Sequence, residues 1–168
     1  MKQSEIAILY DYNYWANGRI LTAALRISAE QFTQPTAFPR GNLRATLLHI
    51  LDAEYGWRML LMEAREVADL AEADFPTVAA VEAFWHGEET AMRRYLAGLT
   101  DEATTDLARD TNIEGIRRER VLWHALFQVL NHGTQHRSEA AAMLTDYGYS
   151  PGDVDFTVFL NEGTRQTA

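Results

Sequence analysis

The stretch WHALFQVLNHGTQHRSEAAAML, Trp123 to Leu144, decides the fold. Apolar residues at Val121, Leu122, Ala125, Leu126, Val129, Leu130, Ala140, Ala141, Met143 and Leu144 recur at the spacing of a helix with a buried face. Gly148 and Pro151 supply a stop just beyond it. Four residues separate His132 from His136, an advance of roughly 400°, so both imidazoles leave the same side about one turn apart. Two nitrogens held that way can share one metal ion on a scaffold set before the ion arrives. The same spacing also suits two hydrogen-bonded core histidines, and spacing alone leaves both readings standing. Gly133, between them, costs about 1 kcal/mol relative to Ala in a helix interior, which implies that something packs closely against it.

Outward from this helix, the chain divides into further amphipathic segments. Residues 4–27 form a long helix, with Ser4 at its start and Ile6, Leu9, Tyr10, Ile20, Leu21, Ala24 and Leu25 at helical spacing. Its middle, Tyr10 to Trp15, is rich in aromatic rings and divides between core packing and an interface. Ser28 and Gln31 have capping-box spacing before a loop around Pro35 and Pro39. Asn42 caps a second long helix, 43–64, on which Leu47, Leu48, Ile50 and Leu51 turn His49 inward or sideways. A buried imidazole needs a partner for its nitrogens, and a metal is one such partner. Asp52, three residues on, can orient His49, act as a base, or be a surface carboxylate. Thr77 caps a third helix, 78–98, whose His86 is read as exposed. From Thr100 to Glu119 the periodicity fades, and Asn112 with Gly115 suggests a loose hairpin. A short terminal turn near 155–160 packs Phe156 and Phe159 back onto the rest.

Composition narrows the function classes. At 168 residues and 47% hydrophobic, one domain with a real core is expected. A net charge of −9 argues against a broad nucleic-acid surface, and the cluster Arg117, Arg118, Arg120 reads as a solvated helix start. Zero cysteines exclude disulfides, thiolate ligands and a cysteine nucleophile. No leader and no apolar run near 18 residues is seen, so a soluble, cytoplasmic protein without membrane partners is expected.

The run Asn131-His132-Gly133-Thr134-Gln135-His136-Arg137, then Tyr147-Gly148-Tyr149, Pro151, Asp155-Phe156 and Phe159-Leu160, resembles the C-terminal half of the DinB-like (damage-inducible) family. Leu47 to Glu54, around His49, resembles that family's upstream histidine segment, so the likeness spans nearly the whole chain. Gln135 stands where many relatives carry another His, and Ser138-Glu139 replaces a common Gly-Gln; neither departure removes a presumed ligand. The resemblance implies an all-α four-helix bundle with crossover connections and a short C-terminal helix, often a homodimer. It also implies a metal site of His49, His132 and His136. Four Trp and seven Tyr are many rings for such a core, which points the same way on the dimer.

Three neutral imidazoles leave coordination positions open, as catalytic metal sites do. Zinc and nickel both suit such ligands. No general base is evident, because Gly133 follows the first His where zinc proteases carry Glu, and Glu139 is expected along the outer face. Relatives that activate a low-molecular-weight thiol on the metal make a thiol-dependent transferase an alternative to a hydrolase. Access is expected beside Gly133. A non-catalytic metal or ligand binder and a structural dimeric scaffold are the competing classes. His124, about 80° round the helix from His132, is not expected to be a ligand.

Overall fold

In the computed structural model, residues 1–111 and 117–166 are described, and they form helices plus one hairpin. Helix α1 spans Gln3–Ala24, the short α2 Ala29–Thr33, α3 Leu43–Glu63 and α4 Val78–Ala97. Strands β1 (Leu107–Thr111) and β2 (Arg117–Val121) pair antiparallel, Leu107 opposite Val121, and lead into α5, Leu122–Asp146. Helix α6, Phe156–Gln166, closes the chain and is longer than the single turn expected there. The hairpin tip at Asn112 and Gly115 lies outside the described residues.

Local chemistry sets the helix ends. Asn42 Oδ1 accepts from Ala45 N at 2.8 Å, and Thr77 Oγ1 accepts from Ala80 N at 3.2 Å, each satisfying a donor that the first turn leaves free. Ser28 and Gln31 form the reciprocal pair expected of them. α1 departs from expectation: it starts one residue before Ser4, and Glu5 accepts from Lys2 N at 2.8 Å. Gly148, at φ +86°, ends α5 with Tyr149 N donating to Leu144 O at 2.8 Å.

Four long helices form the bundle. α1 packs on α4 and α5, and α3 packs on the same two, so α1 lies diagonal to α3, and α4 to α5. The first and last connections therefore cross the bundle, through α2 and through the hairpin. The core divides into two apolar sections. One gathers Ile6, Tyr10, Tyr14, Met92, Leu96, Leu122, Leu126 and Leu130. The other gathers Ile20, Leu21, Phe32, Leu43, Leu47, Leu51, Val81, Met143 and Leu144.

Between them runs a polar belt to which all four long helices contribute. Glu54 of α3 accepts from Asn13 and Asn17 of α1 at 2.8 and 3.0 Å, and from Trp85 Nε1 of α4 at 2.9 Å. Arg137 of α5 donates to Asn13, and to Asn17 at 3.0 Å. All five are buried, so each needs the others. A second buried pair, Arg58 and Glu88, ties α3 to α4 through two hydrogen bonds.

The aromatic run on α1 divides by helix face. Tyr10 and Tyr14 enter the core, while Tyr12 and Trp15 lie under α6, with Tyr12 edge-on to Phe156 at 5.2 Å and Trp15 bonded to Glu162. The other tryptophans also have partners within the chain: Trp85 on Glu54, Trp57 beneath Arg120, Trp123 against His124. The surplus of rings that suggested a dimer is thus largely occupied inside one chain.

Candidate metal centre

His49 projects from α3 and His132 and His136 from α5, two helices that pack side by side. One nitrogen from each ring lies within 4.8 Å of the others, a group able to hold a metal ion. The ring centroids are 4.6 to 4.7 Å apart, all edge-to-face. His136 is buried and the other two are half-buried, so the cluster opens to solvent on one side. His86 and His124 are exposed and take no part.

Each ring is oriented by its neighbours. His136 Nδ1 meets Glu139 Oε2 at 2.8 Å, one turn along α5. A carboxylate can only accept, so Nδ1 donates to Glu139 and Nε2 is the nitrogen left for the cluster. Glu139 therefore turns to the site instead of lying along the outer face. His132 Nε2 and His49 Nε2 are 2.9 Å apart, and His132 Nδ1 is buried with no hydrogen-bond partner among the described residues. Arg40, in the loop before α3, brings Nη2 to 2.8 Å from the same His49 nitrogen.

Protonation is disfavoured at His49 and His132. Burial, then the charge of Arg40, then the two neighbouring imidazoles push His49 down to about 4. His132 is lowered as well, by burial first and then by His136 and Arg40. Neutral rings with outward lone pairs are the form that binds a cation.

Two other expectations change. Asp52 Oδ1 accepts from Leu70 N at 2.9 Å, so it anchors the loop after α3 and does not orient His49. Gly133 does not open a passage to the histidines. It is buried facing α1, where an added Cβ would lie 2.8 Å from Arg137 Nη1 and 3.3 Å from Asn13 Oδ1. A groove of about 640 Å³ sits elsewhere, between the end of α3 and the hairpin, lined by Leu60, Ala64, Arg65, Arg109 and Arg118 among others, and none of the three histidines borders it.

The sequence profile of the DinB family matches residues 1–166. The chain belongs to the DinB family. It is 28% identical over 160 residues to Protein DinB of Bacillus subtilis (strain 168), covering 90% of this chain and 91% of that one. The family match encompasses all three histidines, and the bundle carries them on the second and fourth long helices. Arg40 is the neighbour of the cluster that sequence reasoning missed. It sits between Pro39 and Gly41 in a loop with no periodicity, and its only local signal is a basic residue nine positions before His49. No described helix is long and apolar enough to cross a membrane.

Proposed function

We propose that this DinB-family protein holds one divalent ion, zinc or nickel, on His49, His132 and His136, and acts as a metal-dependent enzyme on a small molecule. The observation that carries the reading is the convergence of three imidazole nitrogens from two helices within 4.8 Å. The donor set fits. Two nitrogens bound to one ion at about 2.1 Å each stand roughly 3.0 to 3.4 Å apart, close to the 2.9 Å between His49 and His132. His49 Nε2, approached by both His132 Nε2 and Arg40 Nη2, is crowded in a way that the protein alone leaves uncompensated. Glu139 on His136 Nδ1 is the kind of carboxylate that fixes the tautomer and raises the basicity of a ligating imidazole.

Bound there, a divalent ion with only neutral protein ligands would bring the ionisation of a coordinated water or thiol toward neutral pH. The chain's own residues supply the rest: His136 is oriented by Glu139, and burial keeps His49 and His132 unprotonated. Among the described residues, Asp52 is committed to a backbone amide and Glu139 to His136. Neither stands as a free general base. That favours a thiol-dependent transferase, whose nucleophile needs no further base once ionised, over a hydrolase. The same observation supports the second reading, a metal-binding bundle without catalysis.

The test is elemental analysis of protein purified without chelator, beside turnover of a panel of low-molecular-weight thiols with an electrophile. Stoichiometric zinc or nickel, lost in His136→Ala, supports the site. Metal without turnover selects the non-catalytic reading, and absence of metal removes both. A cytoplasmic homodimer completes the proposal. Its support is the family resemblance, together with Ile8 and Phe127, which are 40% and 46% exposed on the adjacent helices α1 and α5. Light scattering at the mass of one 19.1 kDa chain would overturn it.

A further inference from the structure

Arg40 is held at the cluster by the structure of its loop. Thr36 N donates to Gly41 O at 2.6 Å, Gly41 N donates to Phe38 O at 2.8 Å, and Phe38 N donates to Thr36 Oγ1 at 3.3 Å. Gly41 takes φ +82°, a conformation that side-chain-bearing residues rarely adopt, so the turn directly after Arg40 is built on a glycine. The backbone beside Arg40 is therefore pinned while its guanidinium reaches His49.

A guanidinium only donates, so the 2.8 Å contact means that His49 Nε2 is the acceptor and carries a lone pair toward Arg40. That lone pair is also the one facing His132 Nε2 at 2.9 Å. An ion taken up by the three histidines needs the same lone pair, and Arg40 then loses its acceptor. Arg40 forms no ion pair with a carboxylate among the described residues, and it is exposed. It would remain at the rim as an uncompensated cation.

The local charge then decides the ligand. Neutral imidazoles leave a divalent ion with both its charges, Arg40 adds one, and Glu139 returns one through His136. Such a rim favours a ligand with two negative centres. We infer that Arg40 is the specificity-determining residue of the site, receiving a carboxylate carried by a small thiol whose sulfur binds the metal. The planar fork of the guanidinium matches a carboxylate through two parallel hydrogen bonds, which a simple point charge does not. This rests on the metal reading above and narrows its substrate class to anionic thiols.

The experiment uses the full chain loaded with cobalt(II), whose visible spectrum reports sulfur binding directly. Mercaptoacetate and 2-mercaptoethanol are titrated as probes of similar size that differ in the carboxylate, against the parent and Arg40→Gln. Arg40 lies on an exposed loop away from the core, so the variant keeps its fold, and cobalt stoichiometry checks the site. The preference for mercaptoacetate over 2-mercaptoethanol should fall about tenfold in Arg40→Gln, the low end for a hydrogen bond to a charged group. Binding of 2-mercaptoethanol and cobalt content should be unchanged. An unchanged preference, or equal losses for both thiols, overturns the role of Arg40 and leaves the metal site standing. Failure of the parent to take up cobalt overturns the metal reading and this inference together.

Discussion

Two polar clusters meet on α5 at adjacent residues, and they are built on opposite terms. Arg137 joins the central belt, where it, Asn13, Asn17, Glu54 and Trp85 are each hydrogen-bonded to another member. His136 joins the imidazole cluster, where His132 Nδ1 has no partner among the described residues and two groups crowd one nitrogen of His49. The belt is buried and spans all four long helices; the cluster is half-open and spans two. A polar set that satisfies itself fixes the packing of helices and leaves nothing for a ligand. A set held together by the fold yet left short of partners is where a ligand finds its binding energy. The difference separates a self-satisfied packing device from a candidate ligand site within one turn of helix.

The comparison breaks most visibly if the belt is cut. Glu54→Leu leaves Arg137 as a buried cation without its counter-charge, and should cost about 3–5 kcal/mol in denaturant unfolding. A cost below about 1 kcal/mol would mean that the belt is not a structural lock. At the cluster, the effect should depend on metal instead. Zinc or nickel at a hundred times its dissociation constant should stabilise the parent by about 2.7 kcal/mol, and His136→Ala should abolish this gain. Melting curves with and without metal would show it, and equal gains in both proteins would remove His136 from the site.

Gly133 sharpens the boundary. Ala in its place gains about 1 kcal/mol of helix propensity, but its Cβ meets Arg137 Nη1 at 2.8 Å, an overpacking strain of about 1–3 kcal/mol. A net loss of roughly 1 kcal/mol is expected from these two opposing effects, with metal content unchanged. A more stable variant would show that Arg137 can swing aside. The smallest effect is with pH, in the metal-free protein. The folded His49 takes a proton only near pH 4, against an ordinary 6.5, so between those values the unfolded chain binds more protons. Stability should fall as pH drops from 6.5 toward 4 and be insensitive to this group above 6.5. His49 is partly solvated, which keeps the slope shallow. Urea midpoints across that range, flatter in His49→Gln than in the parent, would check it.

What could be read from the chain alone was whatever a single turn of helix controls. Asn42, Ser28 and Thr77 cap helices because the donors they satisfy lie three residues away. His132 and His136 share a face for the same reason, and crossover connections, though not which helices they join, followed from family resemblance. Only the tertiary structure decided what those faces meet. Glu54 reads as one more acidic residue until Asn13, Trp85 and Arg137 arrive around it from 31 to 83 positions away. Asp52 has a histidine at helical spacing, yet the amide of Leu70 takes it. Gly133 announces a close approach, but the neighbour is Arg137 and not a ligand, because a residue next to His132 on a helix points about 100° away from it. Arg40 carries no periodic signal at all. Its place at the cluster depends on how the loop from α2 enters α3, and hydrogen bonds and charge act across whatever distance the fold has closed.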